Sequence, residues 1–232
     1  MPVTHPGPEA AFTVLLVCTG NICRSALAER LGRAYLDELL GEDASAIRLV
    51  SAGTRAVVGS SMHPDSALVL VGLGAEPGDF RARQLVDVHA VEADLTLTMT
   101  RGHRRDVLAL APRALARTFT LREAAALIDL VDEDADLPGV DLRERSRHLV
   151  QAMAAARSRR HGGEDDDIRD PIGRPVDVHE EVGDAITEAL LPILRRFAAL
   201  LRAGDPRPAG HVGPVGRSEP SSSSGNGASR VS

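Results

Sequence analysis

Residues Val14–Ser25 read V-L-L-V-C-T-G-N-I-C-R-S, and the order of residue types in this stretch decides the fold. Val14 to Val17 are all apolar, which suits a strand covered on both faces. Leu27, Leu31, Ala34 and Tyr35 follow at helical spacing as far as Gly41, a stop signal. Between strand and helix lies a C-x5-R loop, Cys18-Thr19-Gly20-Asn21-Ile22-Cys23-Arg24, closed by Ser25. A tight loop at a helix N-terminus turns successive backbone N–H groups toward one point, and the helix dipole favours negative charge there. The same field favours the thiolate of a cysteine at the start of the loop. Arg24 adds a planar fork that grips two phosphate oxygens at once. The arrangement suits nucleophilic phosphoryl transfer. Spacing alone favours Cys18 as a small buried hydrophobe and Arg24 as a solvated residue at a helix start. The strand before, Gly20 and Asn21 in the loop and the helix after favour the anion cradle.

The loop is followed by Ser51-Ala52-Gly53-Thr54, Ala82-Arg83-Gln84-Leu85 and Asp170-Pro171. In this order the motifs resemble the low-molecular-weight protein tyrosine phosphatases of bacterial type, over roughly residues 12 to 200. The resemblance implies Cys18 as nucleophile, Arg24 as phosphate clamp and Asp170 as the acid that protonates the leaving oxygen and then activates water. It implies phosphate or substrate contact by Thr19, Gly20, Asn21, Ile22, Cys23, Ser25 and Ile172, and a supporting hydrogen bond from Ser51. It also implies a reversible Cys18–Cys23 disulfide that guards the nucleophile, against the alternative of an inert buried thiol at Cys23. Read without it, Asp170 initiates a turn, as Asp-Pro pairs usually do, and stands little above Asp177 or Asp94. Asn21, Ser25 and Thr19 on that reading do ordinary turn and capping work.

Outward from the loop, strand and helix patterns alternate. Strands are expected at Ile47–Ala52, Ala93–Met99 and Arg117–Leu121. Helices are expected at Pro64–Leu73, His103–Leu110 and Arg122–Leu130. This predicts a single doubly wound, mostly parallel four-stranded α/β sheet with helices on both faces and Cys18 at a carboxyl strand end. Residues 132–167 look like an insertion before the Asp-Pro loop, with a charged helix over Leu142–Arg160. A solvated helical hairpin is the first expectation for it, and a lid or docking element the second. Its acidic end, Glu164 to Asp167, is expected in solvent. Val178–Leu201 is the strongest amphipathic helix and should pack on the sheet, kinked at Pro192. Residues 1–11 and 203–232, rich in Pro, Gly and Ser, are expected to be a disordered leader and tail around a 12–202 domain.

Lys+Arg 27 against Asp+Glu 33 gives a net charge of −6, which argues against a nucleic-acid-binding surface. No apolar run reads as a membrane span or a secretory signal. Two cysteines five positions apart are no secreted disulfide framework, so a cytoplasmic setting is expected. The histidines (His5, His63, His89, His103, His148, His161, His179 and His211) show no paired ligand spacing, so no metal or other cofactor is expected.

Three departures from the family pattern bear on substrate. Ala26 stands where proline is usual after the loop serine, a harmless change. Phe80 stands where many members carry a histidine that supports the loop. Ile172 replaces the usual aromatic after Asp-Pro and keeps an apolar wall without stacking. Ile22 points the other way, because phosphoarginine-specific branches of the family carry threonine there and a bulky apolar residue suits an aryl group. The expectation is a phosphotyrosine protein substrate. The alternatives are a protein arginine phosphatase, an arsenate reductase using an external thiol, and a non-catalytic phosphoprotein-binding module.

Overall fold

The computed structural model describes residues 11–133, 135–160 and 164–203. The expected leader and tail lie outside them apart from Ala11, which is buried, and Ala203. His5, His161 and His211 lie outside them as well.

Four parallel strands form one sheet: β1 (Phe12–Cys18), β2 (Ile47–Gly53), β3 (Leu95–Thr98) and β4 (Thr118–Thr120), in the order β2-β1-β3-β4. β1 is central, with Val14 opposite Leu49 on one side and Leu95 on the other. The chain leaves β1 toward β2 and returns past it to β3, so the carboxyl ends of β1 and β3 flank a topological switch point, where open α/β sheets bind ligands. The alternation along β1 explains its unbroken apolar sequence. Phe12, Val14 and Leu16 enter the larger core, and Leu15 and Val17 enter a smaller one on the opposite face.

The smaller face is covered by α3 (Asp87–Glu92), which the sequence reading missed, and α4 (Arg101–Leu110). A six-residue helix offers too little periodicity to stand out. The larger face carries α1 (Arg24–Leu40), α2 (Pro64–Gly72), α5 (Leu121–Ile128), α6 (Leu142–Ala156) and α7 (Val176–Ala203). α7 runs through Pro192 as one helix and lies across α1, α2 and α5. Two glycines permit close approach here. A Cβ on Gly32 of α1 would meet Leu49 Cδ1 at 2.6 Å, and one on Gly183 of α7 would meet Val69 Cγ1 at 2.6 Å.

The reading of residues 132–167 as a solvated hairpin is corrected. Asp141 caps α6 by accepting from Glu144 N at 2.8 Å, and Leu142, Leu149, Val150, Met153 and Ala156 then recur on one face and are buried. They belong to the main core, with α5 and α7 as neighbours. Charged residues flank that face and misled the hydropathy pattern, but several are structural. Arg143 Nε and Arg147 Nη2 reach the buried Asp94 at 3.0 and 2.7 Å, and Arg157 lies over the Phe119 ring at 4.1 Å. The helix also ends earlier than expected, since residues 157–159 tighten into a 3-10 turn. The acidic end is only partly in solvent, as Asp166 is buried and paired with Arg160.

Because Met153 is fully buried, Met153→Ala should lower the unfolding free energy by about 2–5 kcal/mol in urea denaturation. A solvated hairpin would give a change within about 0.5 kcal/mol.

Candidate active site

The loop after β1 is shaped from outside. The carbonyls of Cys18, Thr19 and Gly20 accept from the backbone N–H groups of Thr54, Arg55 and Val57 at 2.9, 2.9 and 3.0 Å, and the Ile22 carbonyl accepts from His63 at 2.8 Å. In a trans peptide the N–H points opposite to the C=O, so tying these carbonyls outward turns the following amides inward. The N–H of Asn21 illustrates this by meeting Cys18 Sγ at 3.3 Å. The result is a ring of donors with the Cys18 sulfur at its floor, an anion-binding concavity. Gly53 is required by the same packing, because a Cβ there would sit 2.4 Å from the Thr19 oxygen. Gln84 holds the backing segment, accepting from Ala56 N at 3.0 Å and donating to Thr54 O at 3.0 Å. The Ser51–Thr54 and Ala82–Leu85 motifs are thus one scaffold.

Asn21 has φ 54°, a left-handed conformation that asparagine tolerates. Its side chain fixes that turn in three directions. Nδ2 donates to Ser25 Oγ at 2.9 Å and Ser51 Oγ at 2.8 Å, and Oδ1 accepts from Arg83 N at 2.8 Å. Ser51 Oγ donates in turn to Glu29 Oε2 at 2.6 Å. Ser25 Oγ accepts from Asn21 and meets Cys18 Sγ at 2.9 Å, a contact in which it is the donor whenever the sulfur is a thiolate. The network closes through Glu29, with no side-chain bond from Phe80, which is buried beneath the Arg30 guanidinium. Nothing in the sequence marked Glu29, since its role depends on α1 lying beside β2.

Arg24 is 4% exposed and sits where the Asp-Pro loop returns. It donates to the Ile168 carbonyl at 3.1 Å and pairs with Asp170 Oδ2 at 2.6 Å. Its Nε is buried without a hydrogen-bond partner, a donor still available to an anion. Asp170 is half-exposed, and its other oxygen accepts from Ile172 N at 3.2 Å. The loop hangs from Met99, the residue just after β3, by Ile168 N to Met99 O at 2.8 Å. Cys18, Thr19, Gly20, Ile22, Cys23, Arg24, Asp170 and Ile172 line one cleft of about 240 Å³, together with Arg55 and Val57. Asn21 and Ser25 are buried under it. Arg55 and Val57 were not foreseen, because only their hydrogen bonds to the loop carbonyls bring them here.

The roles of three histidines also escaped the sequence. His103 of α4 is buried and bridges Thr100 Oγ1 at 2.9 Å and Thr19 Oγ1 at 2.8 Å. Burial and then the Arg24 charge push it down to about 4, opposed by Asp106, Asp170 and Asp167. Thr19 therefore does more than cap a turn. His63 and His179, distant in the chain, stack with ring centroids 4.9 Å apart beside Cys23. Both cysteines are free thiols, and burial pushes the Cys23 thiol up to about 11, with Ser66 donating in opposition and the Cys18 and Asp170 charges adding to the rise.

The profile of the family described as low molecular weight phosphotyrosine protein phosphatase matches residues 13–138, more than half of the chain. A low molecular weight protein-tyrosine phosphatase A of Mycobacterium tuberculosis is 38% identical over 125 residues, 51% of this chain and 74% of that protein. A protein-arginine-phosphatase of Geobacillus stearothermophilus is 27% identical over 175 residues, 75% of this chain and 88% of that protein. A solved arginine phosphatase structure from the same organism superimposes with a TM-score of 0.56 at 27% identity, over 83% of this chain and 94% of that one. A tyrosine phosphatase structure from Erwinia amylovora matches in fold, with a TM-score of 0.55 at 24% identity over 82% of this chain and 93% of that one.

His103 gives a pH test of this geometry. Between pH 6.5 and about 4 the unfolded chain binds a proton that folded His103 refuses, so stability falls as pH falls through that window. His103→Gln should lose about 1–3 kcal/mol less than the wild type over it, measured by urea unfolding at each pH.

Proposed function

This chain belongs to the low molecular weight phosphotyrosine protein phosphatase family, and from that premise we propose that it hydrolyses phosphotyrosine in proteins through a phosphocysteine at Cys18. The observation that carries the reading is the Cys18 sulfur at the floor of the amide ring, with the Arg24–Asp170 pair at its rim. An incoming phosphate dianion replaces the Asp170 carboxylate on the Arg24 fork and takes the inward amides on its remaining oxygens. The Cys18 thiolate attacks phosphorus in line with the ester oxygen. The P–O bond breaks, and Asp170 in its acid form gives the leaving oxygen its proton. Asp170, now a carboxylate, takes a proton from water as that water attacks the phosphocysteine. The S–P bond breaks and inorganic phosphate leaves. Ser25 Oγ–H, aimed at the sulfur, stabilises the departing thiolate in this second step. Cys18, Arg24 and Asp170 are the catalytic residues on this reading, and no step calls for a metal.

The wall residues favour an aryl ester. Ile22, Val57 and Ile172 present apolar side chains to the cleft, whereas a phosphoguanidinium needs polar partners for its remaining N–H groups. The arginine phosphatase of G. stearothermophilus, similar over three-quarters of this chain, supports a second reading as a protein arginine phosphatase. Two free thiols at the centre of the site suit a reducing, cytoplasmic setting, and no helix among the described residues is long and apolar enough to cross a membrane.

Hydrolysis of p-nitrophenyl phosphate after chelator treatment tests the chemistry. Cys18→Ser should abolish turnover, and Asp170→Ala should lower kcat by roughly 10²–10⁴-fold. Phosphate binding by a wild type without turnover would leave a phosphoprotein-binding module instead. Paired phosphotyrosine and phosphoarginine peptides decide the substrate. The wild type should prefer the former, and Ile22→Thr should move the ratio of kcat/KM toward the latter by about tenfold or more. A wild-type preference for the phosphoarginine peptide would select the second reading.

A further inference from the structure

The structure brings together three metal-ligating side chains that the phosphatase chemistry leaves unused. Cys23, His63 and His179 each offer one ligand atom, and the three atoms lie within 4.8 Å of one another. We infer that Cys23, His63 and His179 form a binding site for a thiophilic divalent cation of the zinc class, beside the phosphate loop.

The donor set is the first argument. One thiol and two imidazoles suit zinc-class ions, not the hard oxygen-seeking cations. The state of the nitrogens is the second. His179 is 1% exposed, its Nδ1 is engaged with Ser66 Oγ at 2.9 Å, and its Nε2 has no partner. The Pro171 carbonyl acts on its charge without meeting hydrogen-bond geometry. His63 Nδ1 is also buried and unpartnered. Two unsatisfied ring nitrogens in one buried spot are unusual in a folded protein, and a cation would satisfy both.

The surroundings fit as well. Ser66 holds His179 by the nitrogen opposite the free one, the orienting contact that metal-bound histidines typically have. Asp65 Oδ2 stands 3.9 Å from both His63 Nδ1 and His179 Nε2 and is the candidate fourth ligand, with water as the alternative. Tetrahedral zinc places its ligand atoms about 3.4–3.8 Å apart, so closure asks for shifts of about 1 Å. On binding, the Cys23 thiol releases its proton to solvent and the sulfur takes the metal as thiolate. The ion would join the phosphate loop, the start of α2 and the start of α7, which follows the Asp170 loop. His63 already holds the Ile22 carbonyl through its backbone, so the site is coupled to the loop at two adjacent residues.

The chelator-stripped 232-residue chain titrated with Co²⁺ tests this directly. Wild type and Cys18→Ser should each bind one ion per chain, with tetrahedral d–d bands and a thiolate-to-cobalt charge-transfer band. Cys23→Ser should lose the charge-transfer band. His179→Gln, or His63→Gln should the former fail to fold by circular dichroism, should bind Zn²⁺ at least about tenfold more weakly by calorimetry. Zn²⁺ should raise the unfolding temperature of Cys18→Ser but not of His179→Gln. The inference is overturned if the band survives Cys23→Ser and disappears in Cys18→Ser, which would place the ion on the nucleophile. It is equally overturned if Co²⁺ and Zn²⁺ leave the spectra and the unfolding temperature of the wild type unchanged.

Discussion

The outward tethering of four loop carbonyls is the constraint on which the rest depends. A free C-x5-R loop would hydrogen-bond water with its carbonyls and point its amides in many directions. Here Thr54, Arg55, Val57 and His63 hold the carbonyls of Cys18, Thr19, Gly20 and Ile22 from behind, and peptide planarity does the rest. The donors are pre-aimed before any anion arrives, so little reorganisation remains at the moment of binding. Asn21 adds the one left-handed residue that the curve needs and is itself fixed by Ser25, Ser51 and Arg83.

Electrostatic preparation follows from burial. Arg24 is almost fully enclosed, with one carboxylate and one carbonyl as partners and an unused Nε. A buried cation that keeps a free donor is costly unless an anion completes its shell, and Asp170 supplies only part of that shell. Burial and the same arginine keep His103 neutral at ordinary pH, and the ring serves as a strut between α4 and Thr19.

The Asp-Pro loop reaches the cleft because the segment before it is anchored. α6 is buried against α5 and α7, Asp166 is paired with Arg160, and Asp167 accepts from Arg101 N at 2.7 Å at the start of α4. From there the chain runs along the end of β3 to Asp170. The segment therefore acts as a fixed arm, with several kcal/mol of core burial behind it on the usual scale for buried apolar side chains.

By itself the sequence determined the parallel sheet and the place of the loop at the end of its central strand. An apolar stretch that ends in a cysteine, a loop able to turn and a helix start is a local pattern, and local patterns are set by spacing, φ preference and burial period. Cys18 and Arg24 were legible for that reason, whereas Asp170 stood out from Asp177 and Asp94 only through the family resemblance, and the fold brings all three around one cleft. Tertiary structure alone decided what depends on elements distant in the chain. Charged residues hid the burial of α6, because Arg143 and Arg147 meet Asp94, just before β3, and Arg157 meets Phe119 of β4. Glu29, Val57 and His103 reached the site only through packing. His63 and His179 looked scattered along the chain, and only the packing of α7 on α2 stacks them beside Cys23.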